Sequence, residues 1–308
     1  VKALVTGACG FVAPYLMRSL VQRGYSVVGT YVQEPKTKLN ECAYLRLDIC
    51  NFEECRRVIS DTRPDVIFHL AGIAYVPEAE GNFDKTLSIN VAGTHNLIRI
   101  AHLLGLKSTF VFVSSAEVYG RFDYLPVDEK HPARPESAYS LSKLFSEQIV
   151  EQYHRRGTVK GVIVRPFNHI GAGQDSRFMA SNFALQLARI ATGKQEPVIE
   201  VGNLEALRDF TDVQDIVEGY IAAASKPGEI FNLCSGKAIA VQSILDTLIK
   251  ISGCSVAVKQ DPNRTRPSEV PEVRGSYQKA KEVINWQPKI HLEDSLKDVF
   301  NYWVKNLL

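Results

Sequence analysis

The sequence predicts an α/β fold built on a doubly wound parallel sheet, with a smaller second α/β unit assembled from discontinuous pieces. Three observations carry this expectation. Short apolar runs alternate with amphipathic helical stretches up to Arg165. A glycine-bearing turn, Gly7-Ala8-Cys9-Gly10, joins the first such pair. Beyond Arg165 the texture changes, with glycines and polar residues around Gly171 and Gly173 before the next helical pattern.

In order, Lys2–Thr6 reads as a short buried strand, followed by a helix to about Arg23. Further strands are expected at 25–31, 44–48, 66–71, 109–114 and 161–165, with helices at 52–62, 83–104 and 140–155 between them. Beyond Arg165 the patterns predict a helix at 178–192, a short strand at 197–201 and a helix at 212–225. A strand at 229–233 is expected to return to the first sheet, and the remainder to be helical around a Pro/Arg-rich loop at 261–271. The expected division is 1–165 with 212–238 returning to it, against 166–211 with 239–308.

A chain of 308 residues, 45% hydrophobic and 23% charged, can bury roughly two domains' worth of core. A net charge of +2 argues against a dedicated nucleic-acid or membrane surface. The six cysteines form no CxxC pair and have no histidine at ligand spacing, so reduced thiols and no metal are expected. No apolar run approaches the ~20 residues of a membrane span. The first strand begins at the first residue, so no signal peptide is expected, and the reading is cytoplasmic.

The first strand runs into Thr6-Gly7-Ala8-Cys9-Gly10-Phe11-Val12-Ala13, a GxxGxxA loop between strand and helix. Glycine permits a tight turn of positive φ and lets the backbone approach a pyrophosphate, which the helix N-terminus attracts. Ala13 replaces the usual third glycine, and a small residue suffices where helix packs on strand. The fold class is thus Rossmann-type, and Gly7, Gly10, Phe11 and Val12 are candidate cofactor contacts. The second strand ends at Gly29-Thr30-Tyr31 without the acid that would bind a ribose 2′-hydroxyl. Thr30 joins the cofactor set, and Lys36 or Lys38 could meet a 2′-phosphate, so the reading leans to NADP(H), with NAD(H) as the alternative. Asp48 and Ile49 are candidate adenine contacts, and Asp48 reads equally well as a helix N-cap.

Tyr139-Ser140-Leu141-Ser142-Lys143 places a phenol and an ammonium one helical turn apart on one face. An ammonium ~6 Å from the phenol at an effective dielectric of ~20 contributes ~2.8 kcal/mol, or ~2 pKa units, which predicts an acidified Tyr139. In a reduction Tyr139 would start protonated and donate. Ser115 follows a buried strand at its carboxyl end, where doubly wound sheets bind ligands, and can donate to a substrate oxygen.

With these residues in view, the chain resembles the extended short-chain dehydrogenase/reductase family over essentially its full length. GxxGxxA, His69-Leu70-Ala71-Gly72, Asn90-Val91-Ala92-Gly93-Thr94, Ser115, Tyr139 and Lys143 occur in the expected order. The resemblance implies that Ser115, Tyr139 and Lys143 carry proton transfer coupled to hydride exchange and that Lys143 binds the nicotinamide ribose. It also implies that Asn90 supports the site's helix and that Leu70, Ala71 and Gly72 pass under the cofactor. Gly72 stands where alanine is common, a departure expected to change little.

Arg165-Pro166-Phe167-Asn168-His169-Ile170-Gly171, Arg208-Asp209-Phe210-Thr211-Asp212-Val213 and Arg266-Pro267-Ser268-Glu269-Val270 resemble the group of dehydratases and reductases that act on GDP-mannose and its 4-keto-6-deoxy derivative. The resemblance implies that Asn168, Arg208 and Arg266 bind the diphosphate and Glu269 the GDP ribose, with Lys194 also among the substrate-binding residues. It implies reduction of the C4 ketone of GDP-4-keto-6-deoxy-D-mannose to GDP-D-rhamnose, the C4 epimer being the other product. Glu117 stands where dehydratases place the base for the C5 proton, although reductases keep it too. Ala116 stands where dehydratases carry a polar or acidic residue, which disfavours dehydration. A GDP-mannose 4,6-dehydratase and a non-enzymatic cofactor-binding regulator are the alternatives. The family also implies a homodimer through a four-helix bundle, here from 90–104 and 138–154 of each copy.

Overall fold

The computed structural model describes residues 1–35, 37–264 and 270–308. Strands β1 (Lys2–Thr6), β2 (Ser26–Tyr31), β3 (Ala43–Arg46), β4 (Val66–His69), β5 (Thr109–Val113) and β6 (Lys160–Pro166) come first. They are followed by β7 (Asn168–Ile170), β8 (Val198–Val201), β9 (Leu207–Asp212), β10 (Ile230–Leu233), β11 (Ala238–Ala240) and β12 (Ala257–Gln260). Seven of them form one sheet in the order β10-β6-β5-β4-β1-β2-β3, with every pairing parallel. The strand order reverses between β1 and β4, which opens a crevice at their carboxyl ends.

Neighbouring side chains on a strand leave by opposite faces, and here both faces are covered. Leu4, Ile67, Phe110 and Phe112 enter a core with α2 (Phe52–Thr62), α5 (Gly93–Leu103) and α6 (Ala138–Arg155). Their neighbours Val5, Phe68 and Val111 enter the opposite core with α1 (Ala13–Gln22) and α8 (Val213–Ala223). A third core gathers Ile170, Phe210, Ile199 and Val201 under α7 (Met179–Ala191), α9 (Val241–Ser252) and α11 (Leu292–Leu307). Two short helices, α3 (Val76–Gly81) and α4 (Phe83–Thr86), lead through a π-helical turn at Leu87–Ala92 into α5. The helix α10 (Gln278–Ile284) packs against α8 and β10, and brings Ala280 and Trp286 into the core of α1 and α8.

The expected strands of the main sheet are present within two residues at each end, and β10 returns to it beside β6. The segment after Arg165 holds more strand than its pattern predicts. β7, β9 and β11 form a second small sheet, and β12 pairs with β8. Of the four unpredicted strands, β7, β11 and β12 have only three or four residues, and β9 carries Arg208, Asp209 and Asp212, so neither length nor alternation marks them.

Asp209 explains how a carboxylate can lie inside β9. It is fully buried, and one oxygen accepts Ser235 N–H (2.7 Å) and Ser235 Oγ–H (2.6 Å). The other accepts Gly236 N–H (3.0 Å) and Gly275 N–H (3.1 Å). In Asp209→Asn an amide NH2 must face some of these donors, so at least one backbone N–H group loses its acceptor. A loss of about 2–4 kcal/mol of stability is expected, read from urea denaturation; a variant as stable as wild type would contradict this account.

Candidate active site

The glycine loop leaves β1 with Gly7 at φ +74°, and a Cβ there would lie 2.9 Å from Ala71 N and Cα. Only glycine therefore lets β1's loop rest on the Leu70-Ala71 backbone. A Cβ on Gly10 would lie 3.2 Å from Gly7 O. Val12 precedes α1 in a helical conformation and supplies no side-chain hydrogen bond to it, and proline occupies the first turn. An uncapped helix start behind a glycine cradle fits an anionic pyrophosphate. Phe11 is half-buried at the same turn.

At the other end of the crevice the Thr30 carbonyl accepts Ala8 N–H at 2.8 Å, which locks the loop to β2. Lys38 pairs with Glu34 at 2.6 Å and lies 5.7 Å from the ring centres of both Tyr31 and Tyr44. Lys36 lies outside the described residues. Asp48 accepts Cys50 N–H at 2.9 Å but does not cap α2; Asn51 does, accepting from Glu53 and Glu54 N–H at 3.1 Å each. The Ile49 side chain is buried and packs on Gly93, where a Cβ would lie 2.6 Å from it.

Ser115, Tyr139 and Lys143 converge where β5 ends. Ser115 lies close enough to Tyr139 to favour its ionised form, and the Ser115 hydroxyl accepts Glu117 N–H at 3.2 Å. Tyr139 is 8% and Lys143 6% exposed, while Glu117 is exposed beside them. Lys143 Nζ donates to Val113 O at 2.8 Å and sits 5.9 Å from the Tyr139 ring centre. The expected acidification of Tyr139 is not found. Burial pushes its pKa up to about 12, with Ser115 opposing and Glu117 adding to the rise. The ammonium is directed to the Val113 carbonyl and the ring, so the phenol is held as an acid. Burial pulls Lys143 itself down to about 8, and Glu147 opposes that fall.

A buried polar chain joins this group to the glycine loop, and sequence reading missed most of it. Thr94 Oγ1 donates to Asn90 O at 2.5 Å, so it can only accept from His69 Nε2–H, 2.9 Å away. His69 Nδ1 then accepts from Thr6 Oγ1 at 2.7 Å, and Thr6 Oγ1 accepts the N–H groups of Leu70 (3.2 Å) and Ala71 (3.1 Å). Burial, then Lys143, lowers the His69 pKa to about 3, so this tautomer stays neutral. Asn90 Nδ2 donates to Ile73 O (3.1 Å) and Ser142 Oγ (2.9 Å), and its Oδ1 accepts Ile73 N–H at 2.8 Å. A Cβ at Gly72 would come within 2.9 Å of that Oδ1. Glycine at 72 is therefore not a neutral departure: alanine would push on an amide held by three bonds.

Asn168 opens β7, exposed, beside Phe210 of β9. Arg208 is half-buried and donates to the carbonyls of Leu207 and Val270, both at 2.9 Å, leaving Asp209 to its backbone donors. Lys194 is exposed after α7 and bonded to the Leu307 carbonyl at the end of α11, apart from the Ser115–Tyr139 group. Arg266 and Glu269 lie outside the described residues. No described helix is long and apolar enough to cross a membrane.

Fold and site together define an NAD(P)-binding oxidoreductase of the extended short-chain dehydrogenase/reductase type. The family described as GDP-mannose 4,6 dehydratase matches residues 4–299, and the chain belongs to it. It is 36% identical over 244 residues to a GDP-6-deoxy-D-mannose reductase of Pseudomonas aeruginosa, covering 78% of this chain and 80% of that one. A GDP-6-deoxy-D-talose 4-dehydrogenase of Aggregatibacter actinomycetemcomitans is 31% identical over 92% of this chain and 91% of its own. The solved structure of RMD from Pseudomonas aeruginosa complexed with NADPH superposes with a TM-score of 0.86 at 30% identity, covering 99% of each chain.

Lys143 gives a prediction with a definite sign. Its pKa of about 8 in the folded chain lies below the ordinary 10.5, so the unfolded chain binds more protons between these values and stability rises with pH there. Lys143→Met removes that dependence. At neutral pH the variant is expected to be about 2–3 kcal/mol more stable than wild type, an advantage that fades as pH rises through the window. Urea denaturation across that window checks it; an advantage that grows with pH would contradict it.

Proposed function

We propose that the chain reduces the C4 ketone of GDP-4-keto-6-deoxy-D-mannose with NADPH or NADH, yielding GDP-D-rhamnose. The observation that carries this reading is the buried convergence of Ser115, Tyr139 and Lys143 at the mouth of a glycine-loop sheet. Gly7, Gly10, Phe11, Val12, Thr30, Asp48, Ile49, Leu70, Ala71 and Gly72 would line the dinucleotide, with Asn90 supporting the site and Lys143 on the nicotinamide ribose. When bound, the reduced nicotinamide supplies a hydride. Ser115 orients and polarises the ketone oxygen. Tyr139, kept protonated by its burial, delivers a proton to that oxygen. Lys143, turned from the Val113 carbonyl, would be the cation nearest the phenolate this leaves.

The sugar nucleotide would lie over β7 and β9, with Asn168 and Arg208 near the diphosphate, joined by Arg266, and Glu269 on the ribose. Lys194 would have to reach this site from its position near α11. The unit of 166–211 and 239–308 would hold the substrate against 1–165 and 212–238. The similarity to a 6-deoxy-D-talose 4-dehydrogenase keeps the C4 epimer as the alternative product. We also infer a homodimer. Leu87, Val91 and His95 line an apolar groove with Phe145 and Ile149 of α6, and Phe145 is 52% exposed. Both helices are those the four-helix bundle would use.

Oxidation of NADPH by the 4-keto sugar nucleotide, with analysis of the sugar formed, tests the activity. Tyr139→Phe is expected to lower kcat by about 100-fold or more while NADPH still binds; undiminished oxidation would remove Tyr139 as the donor. Turnover of GDP-mannose to its 4-keto product without consumption of reduced cofactor would instead mark a dehydratase. For the dimer, Phe145→Glu is expected to convert a sedimenting dimer to a folded monomer; wild type that sediments as a monomer at micromolar concentration would end that reading.

A further inference from the structure

One turn beyond Lys143, on the same face of α6, lies a carboxylate with no exposure at all. Glu147 receives Arg165 of β6 through two bonds, Nε to Oε1 at 2.9 Å and Nη2 to Oε2 at 2.6 Å. Ser114 Oγ–H donates to the same Oε1 at 2.5 Å. The Arg165 guanidinium lies 4.8 Å from the ring centre of Tyr119, whose hydroxyl donates to Asn232 Oδ1 of β10 at 2.7 Å. The ion pair and the contacts around it thus tie together α6, the end of β5, the turn that follows it, β6 and β10.

Stability alone does not account for this choice. Burying two charges costs several kcal/mol, and an apolar pair of similar volume commonly serves stability as well or better. What an apolar pair cannot do is hold Ser114 by a directed bond, or place a negative charge near Lys143. Ser114 immediately precedes Ser115 in the chain. Glu147 therefore ties the neighbour of the serine to the helix that carries the phenol and the ammonium.

We propose that Glu147, clamped by Arg165 and Ser114, is a positioning residue that sets α6 against the end of β5 and holds Lys143 as an ammonium. The proposal rests on the reductase reading. The titratable and charged groups around Lys143 are Tyr139 and Glu147 on its own helix, His69 on β4, Glu117 in the turn after β5, and Arg165 behind Glu147 on β6. His69 is neutral, and Glu147 is the anion whose charge raises Lys143 against its burial.

The test compares full-length Glu147→Gln, Ser114→Ala and the double variant Glu147→Met/Arg165→Met with wild type. Thermal midpoints are read beside the pH profiles of kcat and KM. Glu147→Gln keeps the hydrogen-bonding shape and loses the charge. It is expected to lower kcat about 10-fold with KM for the sugar nucleotide within about twofold, and to move the alkaline limb about one pH unit lower. The double variant is expected to fold with a midpoint near wild type and yet keep the displaced limb. Ser114→Ala is expected to lower kcat and leave the limb in place. A folded double variant with wild-type kcat and limb would overturn the proposal, as would an unmoved limb in Glu147→Gln. If neither charge variant folds, an unchanged kcat in Ser114→Ala overturns it. Failure of wild type to reduce the 4-keto sugar would sink the reductase reading instead. The pH dependence of NADPH binding, followed by its fluorescence, then decides: loss of affinity at lower pH in Glu147→Gln supports the proposal, and an unchanged dependence overturns it.

Discussion

A buried hydrogen-bonding group that finds no partner costs as much as the bond it forgoes, and this constraint organises the centre of the protein. Thr6, His69, Thr94, Asn90, Ser142 and Ser146 are all buried, and each satisfies the next. The direction of the chain is fixed at one end by the Asn90 carbonyl, which accepts from both Thr94 and Ser146 hydroxyls at 2.5 and 2.8 Å. From there every proton position follows, including the neutral tautomer of His69. The chain spans β1, β4, the π-helical turn and α6, so the glycine loop and the helix of Tyr139 cannot shift independently without orphaning a polar group.

The same interior carries a cost that only function explains. Lys143 is buried, donates to the single carbonyl of Val113 among its described contacts, and lies over the rings of Phe112 and Tyr139. An ammonium in such surroundings is less stable than in water, which is why its pKa falls. Tyr139 moves in the opposite sense for the same reason, since its charged form is the phenolate. Burial thus brings the two groups to neutral pH as an acid phenol and a barely held ammonium. That pairing suits proton donation to a developing alkoxide.

How much of this was legible in the sequence depends on range. The glycine loop, the turn between Tyr139 and Lys143 and the alternation of the main strands are local patterns, and the structure places them as read. Ser114, Glu147 and Arg165 form one cluster from positions 33 and 18 residues apart, and no local periodicity announces it. Asp209 reads as a surface acid until the folded chain brings Ser235, Gly236 and Gly275 around it. The direction of the Tyr139 shift was misread because a helical turn fixes the spacing of two side chains but not where the ammonium points. Gly72 was undervalued because the space its missing Cβ leaves is filled by Asn90, from another segment.

The coupling extends across the crevice. The ring of His169, on β7 next to Asn168, stacks on Phe11 of the glycine loop with centres 6.1 Å apart and planes 7° from parallel. One turn into α1, the Tyr15 hydroxyl donates to Ala172 O at 2.7 Å, just past β7. A third contact closes the far side, where Arg177 pairs with Glu78 of α3 at 2.9 Å and lies over Tyr75. The strand that bears Asn168 is therefore fastened to the helix that follows the glycine loop. Any displacement of β7 must either drag α1's first turn or break an aromatic stack and a hydrogen bond together. In the proposed function, the walls that would meet the cofactor and the sugar nucleotide are thus held at a fixed separation, which is what transfer between two bound molecules requires.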